Sequence, residues 1–403
     1  MFASSSLTRF VTGPLPHASR QLAAGFGRPI RIAIGSMAVA WVTTLSPLRP
    51  VTAQEPADLP ALMRSVREVD RFGEGHREAS EAVAALSRLP SSRIPQVLSM
   101  MGEVTPLSAN WFRAAVEASA DRDPQGVPVE ELKRFLDDRT QGDAARLLAF
   151  DLIVDRQPEF RETVPNFRDD PCLPLRFMAI ERGMKEAAEM VKSGKNEEGS
   201  SAYEGLLQAA RNPDQINAIA DALEKLGSPV DLTAHYGFIT RWHLIGPFDN
   251  REKIGFAAVY APEKSIDLAA SLDGKEGVVS WIDHASSLPL GVVDLNVAIG
   301  KHMGAVAYAF TTVEVDEPTT LDIRLGTPNG NQVFVNGQQV ISNHVYHAGN
   351  AIDQHRATVT LNPGKNTILL KICQNEQTDS WAQDWNFQLR LCDASGKAIR
   401  LPE

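Results

Sequence analysis

Around residue 240 the spacing of apolar residues changes from intervals of three and four to an interval of two, and no one layer of secondary structure accommodates both patterns. Between residues 59 and 232, Ala, Leu, Glu and Arg dominate and β-branched runs are few. Helices are the economical reading there, over 59–72, 74–89, 93–101, 108–120, 129–139, 143–155, 173–193, 203–211 and 213–226. Pro90, Pro106, Pro124, Pro128, Pro158 and Pro171 fall at the joints, where proline ends one helix or opens the next. Short helices joined by short loops predict stacked antiparallel pairs, either a degenerate α-solenoid or an irregular bundle. The polar stretch 192–201 (KSGKNEEGSS) reads as a mobile loop. Past residue 240, Leu321, Ile323 and Leu325 alternate with Asp322 and Arg324, the mark of a half-buried strand. Residues 306–313, 332–335, 339–342, 357–361, 367–374 and 385–391 are strand-like in the same way. Asn336-Gly337 is a strong two-residue hairpin signal, because a type I′ turn needs positive φ at both central positions. The fold class is therefore α then β: an N-terminal helical, repeat-like domain followed by an antiparallel β-sandwich or jelly roll.

A chain of 403 residues has room for two domains and a short extra segment. The extra segment is the first 53 residues, which carry five Arg, no Lys and no acidic residue. Within it, residues 32–45 are uncharged and mostly apolar, Arg28 and Arg31 precede them, and Val51-Thr52-Ala53 offers small side chains before Gln54. The reading is a cleaved secretory signal with a long basic region, which makes the mature protein secreted, periplasmic or at the cell surface with no membrane span. A mitochondrial transit peptide and a retained membrane anchor are the rivals. The expected divisions are 1–53 signal, 54–235 helical and 236–403 sandwich.

Charge and motifs exclude several function classes. The net charge of −10 gives no basic face for nucleic acid. Removing residues 1–53 makes the remainder more acidic: 54–235 holds 22 basic and 32 acidic side chains, against 13 and 18 beyond it, so an acidic protein-binding face belongs on the helices. Three cysteines build neither a disulfide framework nor a four-cysteine zinc site. No GxSxG, P-loop, GxGxxG or HExxH run occurs, so the common hydrolase, nucleotide and zinc-protease templates lack their geometry-setting residues, and a non-catalytic protein is expected.

QVFVNGQQV (332–340), HRATVTLNPGKNTILLKI (355–372) and WNFQLRL (385–391) resemble the galactose-binding-like jelly rolls at the sugar-binding end of β-galactosidase-type glycoside hydrolases and in accessory modules of bacterial secreted proteins. RWHLIGPFDN (241–250), GFAAVYAPE (255–263) and GVVSW (277–281) resemble the start of such domains in large secreted proteins of planctomycete-like bacteria. The family's acidic DG turn is here Asn329-Gly330. In the helical half, DDPCLPLRFMAI (169–180) resembles the turn and second helix of a HEAT-type repeat. The jelly-roll resemblance implies a carbohydrate-binding accessory module.

Trp381 carries that expectation at residue level. It falls in the polar loop 375–384 with Asn375, Gln383 and Asp384, and an exposed indole among amides and a carboxylate can stack on sugar C–H faces while its neighbours bond hydroxyls. Tyr346 and His347 complete the candidate ligand-binding set. His344 and His347, with Asp353 and His355 nearby, form the densest set of possible metal ligands, and are read as a polar hairpin loop in preference to a metal site. Calcium held by loop oxygens is common in related jelly rolls, but no DxDxDG-like run supports one, so no cofactor is expected. Trp385, Phe387, Leu389 and Leu391 share a strand face and should be core, and Trp242 and Phe248 should tie the linker onto the sheet. A hairpin of 367–374 with 385–391 centred near Ser380 would set Cys373 opposite Phe387 and Cys392 opposite Ile368, leaving all three thiols unpaired. The partner is then a polysaccharide or glycan. The rival reading is an assembly component that binds an envelope protein through its helices, and a hydrolase with an unrecognised carboxylate site is the third.

Overall fold

Proline and capping residues set the helix starts. A computed structural model describes residues 58–399, so the expected export segment lies outside the described residues. The helices are α1 (Leu59–Arg67), α2 (His76–Leu86), α3 (Ile94–Ser99), α4 (Pro106–Arg122), α5 (Val129–Asp137), α6 (Asp143–Arg156), α7 (Leu173–Lys192), α8 (Asn196–Ala209), α9 (Pro213–Lys225) and α10 (Leu232–Tyr236). Pro106 opens α4 behind the Thr105 cap, and Pro213 opens α9 behind the Asn212 cap, whose side chain accepts from the amides of Asp214 and Gln215. At these positions proline's missing N–H costs nothing and the cap satisfies an orphan donor. A run of 3₁₀ helix over Pro158–Phe167, absent from the sequence reading, joins α6 to α7.

The expected loop 192–201 is mostly helix: only residues 193–195 separate α7 from α8. Glu197 and Glu198 sit in the first turn of α8, where the helix dipole favours acid. Gly199 lets that turn press against α7, since a Cβ there would come within 2.5 Å of Val191 Cγ2.

One buried ion pair organises the middle of the array. Arg146, 1% exposed, and Asp170, 2% exposed, are paired through both guanidinium nitrogens. Arg146 also donates to the Leu136 carbonyl, and Asp170 accepts from the Cys172 amide at 2.8 Å. The Asp170-Pro171 turn is thus anchored from α6, and Arg176 closes it by donating to the Asp170 carbonyl at 2.6 Å. Burial opposes ionisation of both partners, and their mutual pairing outweighs it: Asp170 lies below the usual carboxyl range and Arg146 above its own.

The sheet region consists of β1 (Arg241–Asp249), α11 (Ala261–Lys264), β2 (Ser271–Gly274), β3 (Gly277–Ser280), β4 (Ile282–Ala285), β5 (Val293–Asp294), α12 (Leu295–Ala298), β6 (Ala305–Val315), β7 (Thr319–Gly326), β8 (Gly330–Val335), β9 (Gln338–Asn343), β10 (His355–Leu361), β11 (Gly364–Gln374) and β12 (Asn386–Cys392). Its two main sheets are antiparallel and open, in the orders β4-β1-β6-β11-β8-β9 and β10-β7-β12-β5, while β2 and β3 form a separate hairpin. Between the main sheets lie Trp242 and Leu244 of β1, the alternating Leu321, Ile323 and Leu325 of β7, Ile368, Leu370 and Ile372 of β11, and Trp385, Phe387, Leu389 and Leu391. Asn336 (φ 50°) and Gly337 (φ 79°) turn β8 into β9 as the type I′ signal requires.

The expected β11–β12 hairpin does not form. β11 pairs with β6 and β8, and β12 pairs with β7 and β5 in the opposite sheet, so residues 375–385 cross between layers instead of turning within one. Hydrophobic alternation identifies a strand but not its partner. Cys172, Cys373 and Cys392 are all buried and unpaired, with the two sheet thiols in different layers.

The outer face of the six-stranded sheet is also dry. The segment between β1 and β4 folds over it, packing Phe256, Tyr260 and Trp281 on Ile245, Phe248, Tyr308 and Cys373. Under this cover Lys371, 1% exposed, pairs with Glu263 at 2.9 Å and donates to the carbonyls of Ala258 and Phe256 at 2.6 and 3.2 Å. The Tyr308 hydroxyl donates to the same carboxylate.

Helices and sandwich belong to one compact unit. Tyr236 and Phe238 pack among Ile216, Ile219 and Leu223 on the helical side and near Leu290 and Ile352 on the sheet side. Ile239 donates its amide to the Leu389 carbonyl at 2.9 Å. On the sheet's outer face Asp353 bridges Arg324 and Arg390, and Arg390 donates to the Tyr236 carbonyl at 3.3 Å. No helix among the described residues is long and apolar enough to cross a membrane.

Candidate functional site: the crossover loop and its depression

The crossover 375–385 starts where β11 ends, at Gln374, and its conformation is fixed by buried carboxamides. The Gln374 side chain accepts from Asn329 Nδ2 at 3.1 Å and from the Asn375 amide at 3.2 Å, and it donates to the Ala382 carbonyl at 3.3 Å. Asn329 donates to the Asp384 carbonyl at 2.9 Å and accepts from the Asn386 amide at 3.2 Å. A carboxylate in place of Asn329 could not donate to the Asp384 carbonyl. Trp385, fully buried, adds a hydrogen bond from its indole to the Ile372 carbonyl at 3.2 Å. Amides suit this position because each offers donors and an acceptor, so one side chain satisfies several loop groups.

On this support Trp381 stands 66% exposed. Its ring meets the edge of His347, with centroids 5.2 Å apart and planes at 71°. His347 in turn places Nε2 2.9 Å from the Asn375 side-chain amide. Three of the predicted site residues, Trp381, His347 and Asn375, are therefore in one chain of contact. Tyr346 is next to them: its hydroxyl accepts from Asn250 Nδ2 at 3.2 Å, and Lys253 lies over its ring, 5.4 Å from the centroid. Burial pushes the Tyr346 phenol up to about 12, against the Asn250 hydrogen bond, so it is neutral at physiological pH. Gly330 permits this placement, because a Cβ on it would meet the Tyr346 ring at 3.1 Å.

Gln383 and Asp384 take other roles. Gln383 donates to the Thr378 carbonyl at 2.6 Å inside the loop, and its own backbone carbonyl accepts from Asn296. Asp384 is exposed and fastens the loop through its carbonyl. The histidine cluster disperses as well. His344 stacks on Phe256 with centroids 4.1 Å apart, and Asp353 is held by two arginines. His355, at the start of β10, has its imidazole pushed toward neutrality by burial. Among the described residues no three His, Cys, Asp or Glu side chains are grouped to hold a metal ion.

Beside Asn375 an open depression of about 600 Å³ is lined by Glu252, Lys253, Glu376, Gln377 and Thr378. The sequence reading missed Glu252, Lys253 and Glu376. Their wall is set by Glu376, whose carboxylate accepts from the Glu252 amide at 2.8 Å. Glu252 (φ 54°) and Lys253 (φ 64°) are consecutive left-handed residues without being glycine, and His347 (φ 59°) is a third on the same side. Such conformations cost energy each and gather where a side chain must be aimed. The signal available in the sequence was Asp249-Asn250-Arg251, whose aspartate accepts from the Arg251 amide at 2.9 Å to begin the turn. Arg251 beside it holds the Asp249 carboxyl down at about 2. The arrangement can stack a flat apolar face on an indole and present carboxylate, amide, hydroxyl and ammonium groups at its border.

No family model and no curated protein matches the chain. Among solved structures it is similar to β-glucosidase from Kluyveromyces marxianus in complex with glucose, at 14% identity over 22% of this chain and 11% of that one, TM-score 0.19. It is similar too to the PA14 domain of the MpAFP antifreeze protein, at 12% identity over 41% of this chain and 70% of that one, TM-score 0.20. A third is the GH31 α-xylosidase from Xanthomonas citri, at 13% identity over 39% and 18% respectively, TM-score 0.19. The chain thus spans about a tenth of the length of that β-glucosidase.

Proposed function

We propose that this protein is an exported, non-catalytic carbohydrate-binding module in which the crossover loop and its depression receive one or two sugar units. The observation that carries the reading is Trp381, two-thirds exposed on a loop fixed by buried amides, with His347, Asn375 and the polar depression beside it. A pre-ordered aromatic face loses little freedom on binding, and sugars offer it C–H faces whose hydroxyls the border groups can bond. Export rests on the basic-then-apolar start of the sequence. The non-catalytic reading rests on the sequence, which carries no GxSxG, P-loop, GxGxxG or HExxH run.

Retention on a glycan array, followed by calorimetry with the best soluble oligosaccharide, tests the proposal. Trp381→Ala should weaken binding at least ten-fold, in keeping with a stacking contact of about 1.5 kcal/mol or more. Equal retention of wild type and Trp381→Ala sinks it, and release of reducing ends by the wild type but not by Glu376→Gln overturns the non-catalytic part.

A further inference from the structure

A second cleft, of about 380 Å³, opens where the helices meet the sandwich and shares no lining residue with the depression beside Asn375. Arg211, at the joint between α8 and α9, lines it with His235 and Tyr236 of α10, Arg390 of β12 and Lys397 beyond it. The Arg211 guanidinium is half-buried and has no carboxylate within ion-pair distance among the described residues. Its hydrogen bonds go to Ser395 Oγ at 3.3 Å and to the carbonyls of Gln208 and Ala210 at 2.8 and 2.7 Å. Burial, then the neighbouring Arg176, lowers its proton affinity, so its charge is under stress. Tyr236 is 2% exposed and its hydroxyl has no hydrogen-bond partner. Burial pushes that phenol up to about 12, so at neutral pH it is a donor. A buried donor left unmade is costly and rare in native proteins.

The carboxylates in the neighbourhood are committed elsewhere. Asp353 holds Arg324 and Arg390, while Asp393 accepts from Ser395 Oγ at 2.6 Å and from the Lys397 amide at 3.0 Å. Asp169 and Asp214 act on the cleft only through their fields. Tyr236, Arg211, Arg390 and Lys397 thus line one cleft, and among their buried donors the Tyr236 hydroxyl is the one that has no acceptor.

We propose that this cleft binds the oxyanion of a small ligand, a carboxylate, sulfate or phosphate, between Arg211, Lys397 and the Tyr236 hydroxyl. This site is independent of the sugar-binding reading and stands if that reading fails. Because its walls come from both the helices and the sandwich, occupancy ties the two together and raises the unfolding temperature.

The test is thermal unfolding of the full chain in inorganic sulfate and in inorganic phosphate, each against sodium chloride at matched ionic strength, with glucuronate as a third arm. Wild type should show a saturable rise with at least one oxyanion and none with chloride. Tyr236→Phe removes the unmade donor, so in chloride it should unfold at or above the wild-type temperature, and its oxyanion midpoint should lie about ten-fold higher, as loss of one hydrogen bond to a charged group requires. Arg211→Met should abolish saturation. Glucuronate saturating well below the inorganic ions identifies a carboxylated sugar as the source, and equal midpoints identify a free anion. A linear rise that is the same in wild type and Tyr236→Phe is the general salting effect of sulfate and overturns the site. Tyr236→Phe alone decides the matter should Arg211→Met fail to fold.

Discussion

The helices and the sandwich bury polar groups by different means. Among the described residues up to Tyr236 the one buried carboxamide is Gln215, and the other buried polar side chains are three serines and the set Arg146, Asp170 and Arg176. Beyond Tyr236 the described residues include eight buried carboxamides: Asn250, Asn329, Asn331, Gln332, Asn366, Gln374, Asn375 and Gln388. A helix satisfies its own backbone, so its interior needs few polar side chains except at joints, and the Arg146 set sits at one. A sandwich leaves the backbone of every crossover to be satisfied by something else, and here amides reach across layers to do it. Loop order in the sheet half is therefore a tertiary property, whereas helix order is largely local.

Removing a buried charge partner should have the largest effect in either half. Asp170→Ala strands Arg146 and should cost about 3–5 kcal/mol in urea unfolding, and Asp353→Ala, which strands Arg390 and Arg324 in a partly exposed setting, about 3 kcal/mol. If the halves fold as one unit, each variant moves a single transition; two separated transitions would break the comparison by making the halves autonomous.

Next comes the amide support. Gln374→Met keeps the length of the side chain but removes the acceptor of the Asn375 amide and the donor to the Ala382 carbonyl. A loss of about 1–3 kcal/mol is expected, with faster amide exchange confined to 375–385. Exchange that accelerates throughout the sheet would show that the amides hold the layers and not the loop.

Acid titration separates the halves more gently. Asp170 and Asp353 both lie below their ordinary 3.8, despite burial that would raise them, because arginines bond their charged forms. The unfolded chain then takes up protons first as pH falls, so their contribution is complete above about 4 and is lost as pH drops through the folded values. Asp353→Asn should flatten that acid limb in part, measured as unfolding free energy between pH 5 and 2.5.

Trp381→Ala should change stability by under about 0.5 kcal/mol, since the ring is exposed, while its effect on binding is large. The thiols should report nothing until the fold opens. Burial pushes Cys172 and Cys373 up to about 12 and Cys392 up to about 11, so intact mass after iodoacetamide treatment should be unchanged in native protein and rise by three adducts in denaturant.

This asymmetry also explains what the sequence disclosed. Most helices followed from period and proline; the 3₁₀ run Pro158–Phe167 and the short α10 were not foreseen, and 192–201 misled because its composition is that of a loop while its acids suit a helix start. The strands from residue 306 onward and the Asn336-Gly337 turn were legible for the same local reasons, while β1 to β5, mostly short, were not named as strands. The partner of β12 was not, since alternation is silent about which layer a strand joins. Lys371 shows the limit well: in ILLKI its alternate position implies a solvent-facing ammonium, and it is buried because a segment more than a hundred residues earlier covers it. Of the site, Trp381, His347 and Asn375 were found from composition and do meet. Glu252 and Lys253 were missed because their importance lies in backbone conformation and in the approach of Glu376, to which the Asp249-Asn250-Arg251 turn gives only an indirect signal.

The free edges of the six-stranded sheet bear on behaviour at high concentration. β9 is six residues long, carries exposed Gln338, Gln339 and Ser342, and is bulged against β8 between Val333 and Phe334; β4 has four residues and exposes Asp283. A second chain adding itself at β9 would meet a short, polar and locally bulged template, and at β4 one of only four residues, so edge-to-edge growth of the kind that produces fibrils finds little to extend from this sheet.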